Sequence, residues 1–124
     1  MDILKTGTFK QRMVEKFPLD CKINSVCIKN ENEIYACTDA GLKRLKDGIW
    51  QDYNDEKQYS LVYFDGKGRV LLAYEKSVYV LNGKGTELLF TFNDTVTDIK
   101  FSEKLYVLTE TAVFVETDDE EKFF

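Results

Sequence analysis

The residues best suited to recognition chemistry are acidic side chains that recur at equivalent points of the chain. Asp39, Glu75 and Glu110 each follow one short apolar stretch and come shortly before another. A carboxylate held at a turn between two strands can attract Lys and Arg of another protein. Such residues are also common as ordinary solvated turn residues. We expect the three side chains to form an acidic rim that binds a protein with a basic patch.

A second candidate contact surface is the polar connection QDYNDEKQY at residues 51–59. It contains Tyr53, Asp55 and Glu56, and it follows Trp50, the single tryptophan of the chain. Tyr and Trp are enriched in protein interfaces and often anchor them. The alternative for residues 51–59 is a plain connection between strands, and the alternative for Trp50 is a half-buried residue of an outer strand. The predicted partner-binding residues are Asp39, Glu75, Glu110, Tyr53, Asp55, Glu56 and Trp50.

Catalytic and metal chemistry find little support in the composition. The chain has no histidine, which removes the usual general base at neutral pH and the commonest transition-metal ligand. Cys21, Cys27 and Cys37 are too few for a four-cysteine zinc site, and we expect reduced thiols that act as small buried hydrophobes. The glycine pairs at 66–68 and 83–85 lack the spacing and the helix of a phosphate loop. We predict no enzyme activity, no catalytic residue, no metal and no cofactor.

The charge balance disfavours two classes of partner. The chain has 22 acidic and 17 basic residues, for a net charge of −5. This disfavours direct binding to nucleic acid, which needs clustered Lys and Arg, and to an anionic membrane surface. No apolar stretch approaches the roughly 20 residues that span a bilayer, and the first residues lack the apolar region of a secretory signal. We therefore expect a cytoplasmic protein.

The elements that position these residues come from a repeat of about 36 residues. Val26-Cys27-Ile28 aligns with Val62-Tyr63-Phe64, which is an offset of 62 − 26 = 36, and the match continues without gaps through Asp39 and Glu75. A third copy begins at Ile99, with a turn shortened by two residues before Leu105. Each copy alternates short runs of Val, Ile, Leu, Tyr and Phe with hairpin-sized turns. Copies this short cannot each bury a face alone and are expected to stack.

The first copy resembles a known kind of repeat. This copy resembles the blade repeat of the two-component-regulator propeller family. The matching parts are Ile23–Val26, the polar turn, Glu33–Thr38 and the Gly-Leu that opens Gly41–Leu45. In the second and third copies Ser-Val and Ala-Val replace this Gly-Leu. The resemblance covers roughly residues 20–116 and implies four-stranded antiparallel blades. It says nothing specific about the ligand.

This reading predicts an all-β fold in one repeat domain over 1–124. A partial blade occupies 1–19, and about three propeller-like blades of four short antiparallel strands occupy 20–57, 58–94 and 95–124. Closed propellers typically have four to eight blades, so two chains would complete a six-bladed ring as a homo-oligomer. An irregular barrel or sandwich is the alternative. Phe9, Met13 and Phe17 also fit helical spacing, which competes with a strand near Phe9.

The predicted function is that of a non-enzymatic protein-protein interaction module. One specific version is a small acidic inhibitor whose carboxylates at 39, 52, 55, 56, 75 and 110 imitate phosphate charge and block a nucleic-acid-binding groove. The alternative is a small-ligand sensor, as the resemblance to sensory propellers implies. A hydrolase with paired carboxylates would need two of these acids about 5 to 9 Å apart, and the sequence singles out no such pair.

Overall fold

The fold is seen in a computed structural model, which describes residues 14–53, 55, 57–83 and 85–117. In these residues the chain forms eleven β-strands and no helix. In chain order the strands are β1 Ile23–Asn30, β2 Glu33–Thr38, β3 Gly41–Lys46, β4 Ile49–Asp52, β5 Leu61–Phe64, β6 Val70–Tyr74, β7 Ser77–Asn82, β8 Gly85–Thr91, β9 Val96–Ser102, β10 Lys104–Thr109 and β11 Val113–Val115.

The strands form three antiparallel sheets in which chain neighbours pair. Sheet 1 has the order β1-β2-β3-β4, sheet 2 has β5-β6-β7-β8, and sheet 3 has β9-β10-β11. The predicted all-β fold with one antiparallel sheet per sequence repeat is confirmed. Sheet 3 has three strands among the described residues rather than four. The fourth strand expected for this copy would follow Val115, and residues 118–124 lie outside the part of the chain that is described.

The turn between the second and third strands is built in the same way in sheets 1 and 3. Thr38 is almost fully buried, and its hydroxyl accepts a hydrogen bond from the amide of Ala40 (3.0 Å) and donates one to the carbonyl of Gly41 (2.6 Å). Thr109, the equivalent residue of sheet 3, bonds the amide and the carbonyl of Ala112 in the same way. A threonine hydroxyl that bonds both a backbone amide and a backbone carbonyl of the turn fixes the shape of that turn.

Each sheet has two faces, because successive side chains of a strand point to opposite sides. We call the face toward the next sheet in the chain the forward face, and the other the backward face. A first layer forms where the forward face of sheet 1 meets the backward face of sheet 2; its buried residues are Cys27, Tyr35, Cys37, Leu42, Tyr59, Val62, Val70 and Leu72. A second layer lies between sheets 2 and 3; its buried residues are Leu71, Ala73, Val78, Val96, Ile99, Leu105 and Val107.

The first strands of successive sheets are linked by hydrogen bonds across each layer. The amide of Val62 donates to the hydroxyl of Ser25 at 3.1 Å, across the first layer. The amide of Phe101 donates to the hydroxyl of Tyr63 at 2.8 Å, across the second layer. These first strands therefore lie along one side of the stack, and the sheets follow one another in chain order.

The segment before β1 forms neither helix nor strand over residues 14–20. Phe17 lies beside sheet 1, where its carbonyl accepts a hydrogen bond from the indole nitrogen of Trp50 at 3.2 Å. Phe9 and Met13, which carried the competing helix and strand predictions, lie outside the described residues. The same holds for most of the predicted partial blade at 1–19.

Candidate partner-binding surface

The three repeat-equivalent acids lie on turns at the same end of their sheets. Asp39 lies between β2 and β3, Glu75 between β6 and β7, and Glu110 between β10 and β11. Each turn joins the second strand of a sheet to the third, so all three lie at corresponding ends of the antiparallel meanders. All three residues are exposed. The predicted acidic positions are thus exposed turn residues, and the carboxylate of Asp39 also accepts a hydrogen bond from the side-chain amide of Asn24 at 2.8 Å.

Backbone hydrogen bonds hold the first and third of these turns against the segment that opens their own sheet. The amide of Asp39 donates to the carbonyl of Lys22 at 3.0 Å. The amide of Glu110 donates to the carbonyl of Thr95 at 3.1 Å. Lys22 and Thr95 are equivalent positions of the repeat, so the same bond recurs. A turn tied in this way presents its side chain from a fixed backbone.

A second set of bonds links the turns to the segment that precedes or opens the next sheet. The side-chain amide of Gln58 donates to the carbonyl of Asp39, and the amide of Val96 donates to the carbonyl of Glu75 at 2.9 Å. Glu75 has a φ of 54°, a left-handed conformation that costs a non-glycine residue of the order of 1 kcal/mol or more. The bond from Val96 helps to hold it there. Successive turns are therefore placed relative to one another through the sheets they contact.

Asp55 lies inside the connection between sheets 1 and 2 rather than on its surface. Its carboxylate accepts hydrogen bonds from the hydroxyl of Tyr59 (2.5 Å), the hydroxyl of Thr86 (3.1 Å) and the amide of Lys57 (3.0 Å). Burial works against its charged form, but these bonds outweigh burial and lower the pKa of Asp55. Burial, followed by the bond to Asp55, raises the pKa of Tyr59. This carboxylate already has three donors within the chain, and its first role is to fix the connection.

The aromatic residues of the predicted surface are half-buried. Tyr53 packs against the first layer, with its ring 6.1 Å from that of Tyr35 and under the guanidinium of Arg44 at 5.8 Å. Trp50 lies on β4, the outer strand of sheet 1. Glu56, the remaining predicted residue of this connection, lies outside the described residues.

A charged cluster that the sequence did not single out links sheets 2 and 3. Asp65, whose side chain is fully buried, accepts bonds from the backbone amides of Lys67 and Arg69 and from the Nε of Arg69 at 2.7 Å. The same guanidinium makes a two-pronged pair with Glu116, at 2.8 and 3.1 Å. Glu116 is the main cause of the raised pKa of Arg69. Burial would raise the pKa of Asp65, but the bonds from Arg69 and the amides lower it.

This cluster lines a cleft of about 340 Å³, which also includes Lys67 and Lys104. Since Arg69 is fully engaged by two carboxylates, the arrangement works first as a clamp between sheets. Of these residues only Asp65 could have been predicted from the local sequence. It stands directly before the turn Gly-Lys-Gly, and Asp at such a position commonly bonds the backbone amides of its own turn. The partner Glu116 is 47 residues away from Arg69, and no local pattern relates the two.

Two of the three cysteines are buried in the first layer, as the sequence predicts for small hydrophobes. Burial raises the pKa of the Cys27 thiol to about 11 and that of the Cys37 thiol to about 12. Cys21 is half-buried, and all three are free thiols. Within the described residues, no group of three or more Cys, Asp and Glu side chains is placed to hold a metal ion.

Comparison with known proteins gives no relative: neither a protein-family model, nor a curated protein, nor a solved structure matches this chain. In the described residues there is no helix long and apolar enough to cross a membrane. The chain's own geometry is therefore the basis for its proposed function.

Proposed function

We propose that this protein is a non-enzymatic interaction module that binds a basic patch of another protein through the turns that carry Asp39, Glu75 and Glu110. The observation that supports this proposal most is the common placement of these turns. Each lies at the same end of its sheet, and each has an exposed carboxylate on a backbone fixed by hydrogen bonds. Charges arranged on a rigid scaffold steer association and fix the register of a partner.

The acidic surface also supports a narrower version, that of a small inhibitor that occupies a nucleic-acid-binding groove. Such a groove is lined by Lys and Arg spaced to meet phosphates. A row of carboxylates repeated from sheet to sheet offers several charges to such a lining. The net charge of −5 favours the encounter with a basic surface. In this version the protein acts in the cytoplasm, without a cofactor and without contacting nucleic acid itself.

The finer architecture belongs to the same proposal. Three sheets stacked in chain order, each an antiparallel meander, are compatible with propeller blades. Two copies of the chain would close a six-bladed ring as a homodimer, which would bring six acidic turns to one side.

The proposal is tested by affinity purification of the full chain from its native host, with the bound proteins identified and their affinity then measured with purified components. The test variant combines Asp39→Asn, Glu75→Gln and Glu110→Gln. Removal of three exposed charges from the contact surface is expected to weaken binding by roughly tenfold or more and to reduce its salt dependence.

The matched comparison is between two double variants, Glu75→Gln with Glu110→Gln on the acidic turns and Glu87→Gln with Glu103→Gln as the control. The control makes the same change of two charges at exposed positions nearer the opposite ends of the sheets. If the carboxylates act as proposed, this control keeps wild-type affinity for the same partner. Equal affinity of the test variant and the wild type would refute binding through these turns.

A further inference from the structure

The backward face of sheet 1 exposes residues whose repeat equivalents are buried elsewhere in the chain. Val26 is equivalent to Val62 and then to Ile99, at offsets of 62 − 26 = 36 and 99 − 62 = 37 residues. Val62 is 3% exposed and Ile99 0%, whereas Val26 is 52% exposed. Ile28, on the same face, is 63% exposed and takes the place of two phenylalanines that pack in the two layers. This face therefore has the apolar composition of the faces that form the two layers, but no sheet of the described residues packs against it.

The forward face of sheet 3 shows the complementary pattern. Val113 is equivalent to Leu42 and Val78, which are 1% and 0% exposed, yet Val113 itself is 62% exposed. Tyr106 and Leu108, on the same face, are half-buried and occupy positions whose equivalents lie in the cores of the layers. Among the described residues, no sheet covers this face.

We propose that the forward face of sheet 3 packs against the backward face of sheet 1 in a second copy of the chain. In each of the two layers within the chain, the forward face of one sheet packs on the backward face of the next. A third layer formed between copies would follow the same rule, with Val113 and Leu108 against Val26 and Ile28. Since every copy carries both faces, two copies close with two identical junctions. This inference rests on the homodimeric ring proposed above and names the surfaces that form it.

Charge complementarity supports this pairing of faces. The backward face of sheet 1 borders a cleft of about 430 Å³, whose lining includes the acidic residues Glu15, Glu31 and Asp47. On sheet 3, Lys104 occupies the repeat position of Arg69, which in the second layer reaches across to a carboxylate of the next sheet. The lysine would meet the acidic cleft of the second copy in the corresponding place.

The described part of the segment before β1, residues 14–22, leaves room for this contact. Phe17 lies at the outer part of the backward face of sheet 1, beside Trp50 of the outer strand. It stands 53 − 17 = 36 residues before Tyr53, which packs at the margin of the first layer. The inner part of the face, with Val26 and Ile28, remains exposed.

The test uses two full-length variants, Ile28→Asp on sheet 1 and Val113→Asp on sheet 3, whose masses are measured in solution by light scattering. Both positions are exposed within one chain, so each variant is expected to keep the wild-type circular dichroism spectrum. Each alone should raise the dissociation constant of the dimer by roughly tenfold or more, because a carboxylate would be buried without a partner. An equimolar mixture offers one junction in which both faces are unchanged, while both carboxylates fall in the other junction. The mixture should therefore associate more strongly than either variant alone and more weakly than the wild type.

Leu88→Asp is the matched control, because Leu88 is 54% exposed on the outer strand of sheet 2, away from both open faces. It should associate as the wild type does. The inference is overturned if the wild type is monomeric, if either variant alone associates as strongly as the wild type, or if the mixture associates no more strongly than either variant alone. Because the acidic turns are unchanged in these variants, a failure here is distinct from a failure of partner binding, which the acid-to-amide variant measures.

Discussion

The two inter-sheet layers occupy equivalent positions of the repeat but are built from different chemistry. The first layer contains two thiols and several tyrosines, and Tyr59 in it is bonded to the charged Asp55. The second layer is formed mainly by Leu, Val, Ile and Phe side chains, with Tyr63 as a tyrosine in it, and its ionic clamp lies at one edge. A repeat of about 36 residues thus determines which positions face an inter-sheet layer, but not which side chains and interactions fill that layer. The interior of the second layer should depend mainly on packing and that of the first also on hydrogen bonds to charged groups and on pH, while the clamp adds its own pH dependence at the edge of the second layer.

Leu71→Ala should have the largest effect and would test the packing half of this comparison. Leu71 is fully buried in the second layer, and truncation of such a residue leaves a cavity that costs about 2 to 5 kcal/mol of unfolding free energy. The measurement is urea denaturation followed by circular dichroism. Leu88→Ala, at an exposed position of the same sheet, should cost less than about 0.5 kcal/mol. A small loss for Leu71→Ala would show that the second layer is not tightly packed.

Tyr59→Phe and Tyr63→Phe compare the polar content of the two layers. Loss of the hydroxyl of Tyr59 removes a donor from the carboxylate of Asp55, and hydrogen bonds to charged groups contribute about 1.5 to 3 kcal/mol. Loss of the hydroxyl of Tyr63 removes an acceptor for the amide of Phe101, a neutral bond that contributes about 0.5 to 1.5 kcal/mol. Denaturation midpoints of both variants should therefore rank Tyr59→Phe as the more harmful. The opposite ranking would contradict a polar first layer.

The pH dependence of stability should carry a contribution from Asp55 in the acidic range. Its pKa is lowered in the folded chain, so the unfolded chain binds the proton more readily. The contribution is complete above the unfolded pKa of about 3.9 and is lost as pH falls through the lower folded value. The melting temperature should fall between about pH 4 and 2, and less steeply in Asp55→Asn. If the melting temperatures of the wild type and of Asp55→Asn fall equally steeply with pH, Asp55 makes no such contribution.

In the alkaline range the thiols of the first layer act in the opposite sense. The pKa values of Cys27 and Cys37, at about 11 and 12, exceed that of an unfolded thiol, about 8.5. Their contribution is complete below the unfolded pKa and is lost as pH rises toward the folded values. At pH 8 a thiol reagent should label half-buried Cys21 first, and the other two only at the rate of unfolding. Rapid labelling of all three would show that the first layer opens readily.

The smallest effect is expected outside both layers, at the acidic turns. Asp39→Asn, Glu75→Gln and Glu110→Gln change exposed side chains and should each alter the unfolding free energy by less than about 0.5 kcal/mol. A large loss of stability would mean that these carboxylates serve the fold rather than a partner.

Much of the fold followed from the sequence because it is encoded locally. Short apolar runs such as Val70–Tyr74 and the hairpin-sized turns between them predicted antiparallel sheets in series, and this is confirmed. The turn role of Thr38 and Thr109 was also accessible, since both stand at the same repeat position. The sequence-based fourth strand of the last copy falls on residues outside the described part.

The candidate site was less accessible, because its chemistry depends on contacts between distant residues. The sequence placed Asp55 on a contact surface, yet its carboxylate bonds Thr86, which is 31 residues away. The pair of Arg69 and Glu116 spans two sheets in the same way. Composition predicts exposure for charged residues in general, and it does not tell which of them have partners inside the fold.

The measurement that tests the packing of a forward face on a backward face most directly is the mass of the wild-type chain by light scattering, from low to high micromolar concentration. If the open faces of sheets 1 and 3 complete a layer between copies, the mass should rise to twice the 14.4 kDa of one chain and stop there. A mass of 14.4 kDa at every concentration would contradict the account, and a mass that keeps growing would contradict closure by two copies.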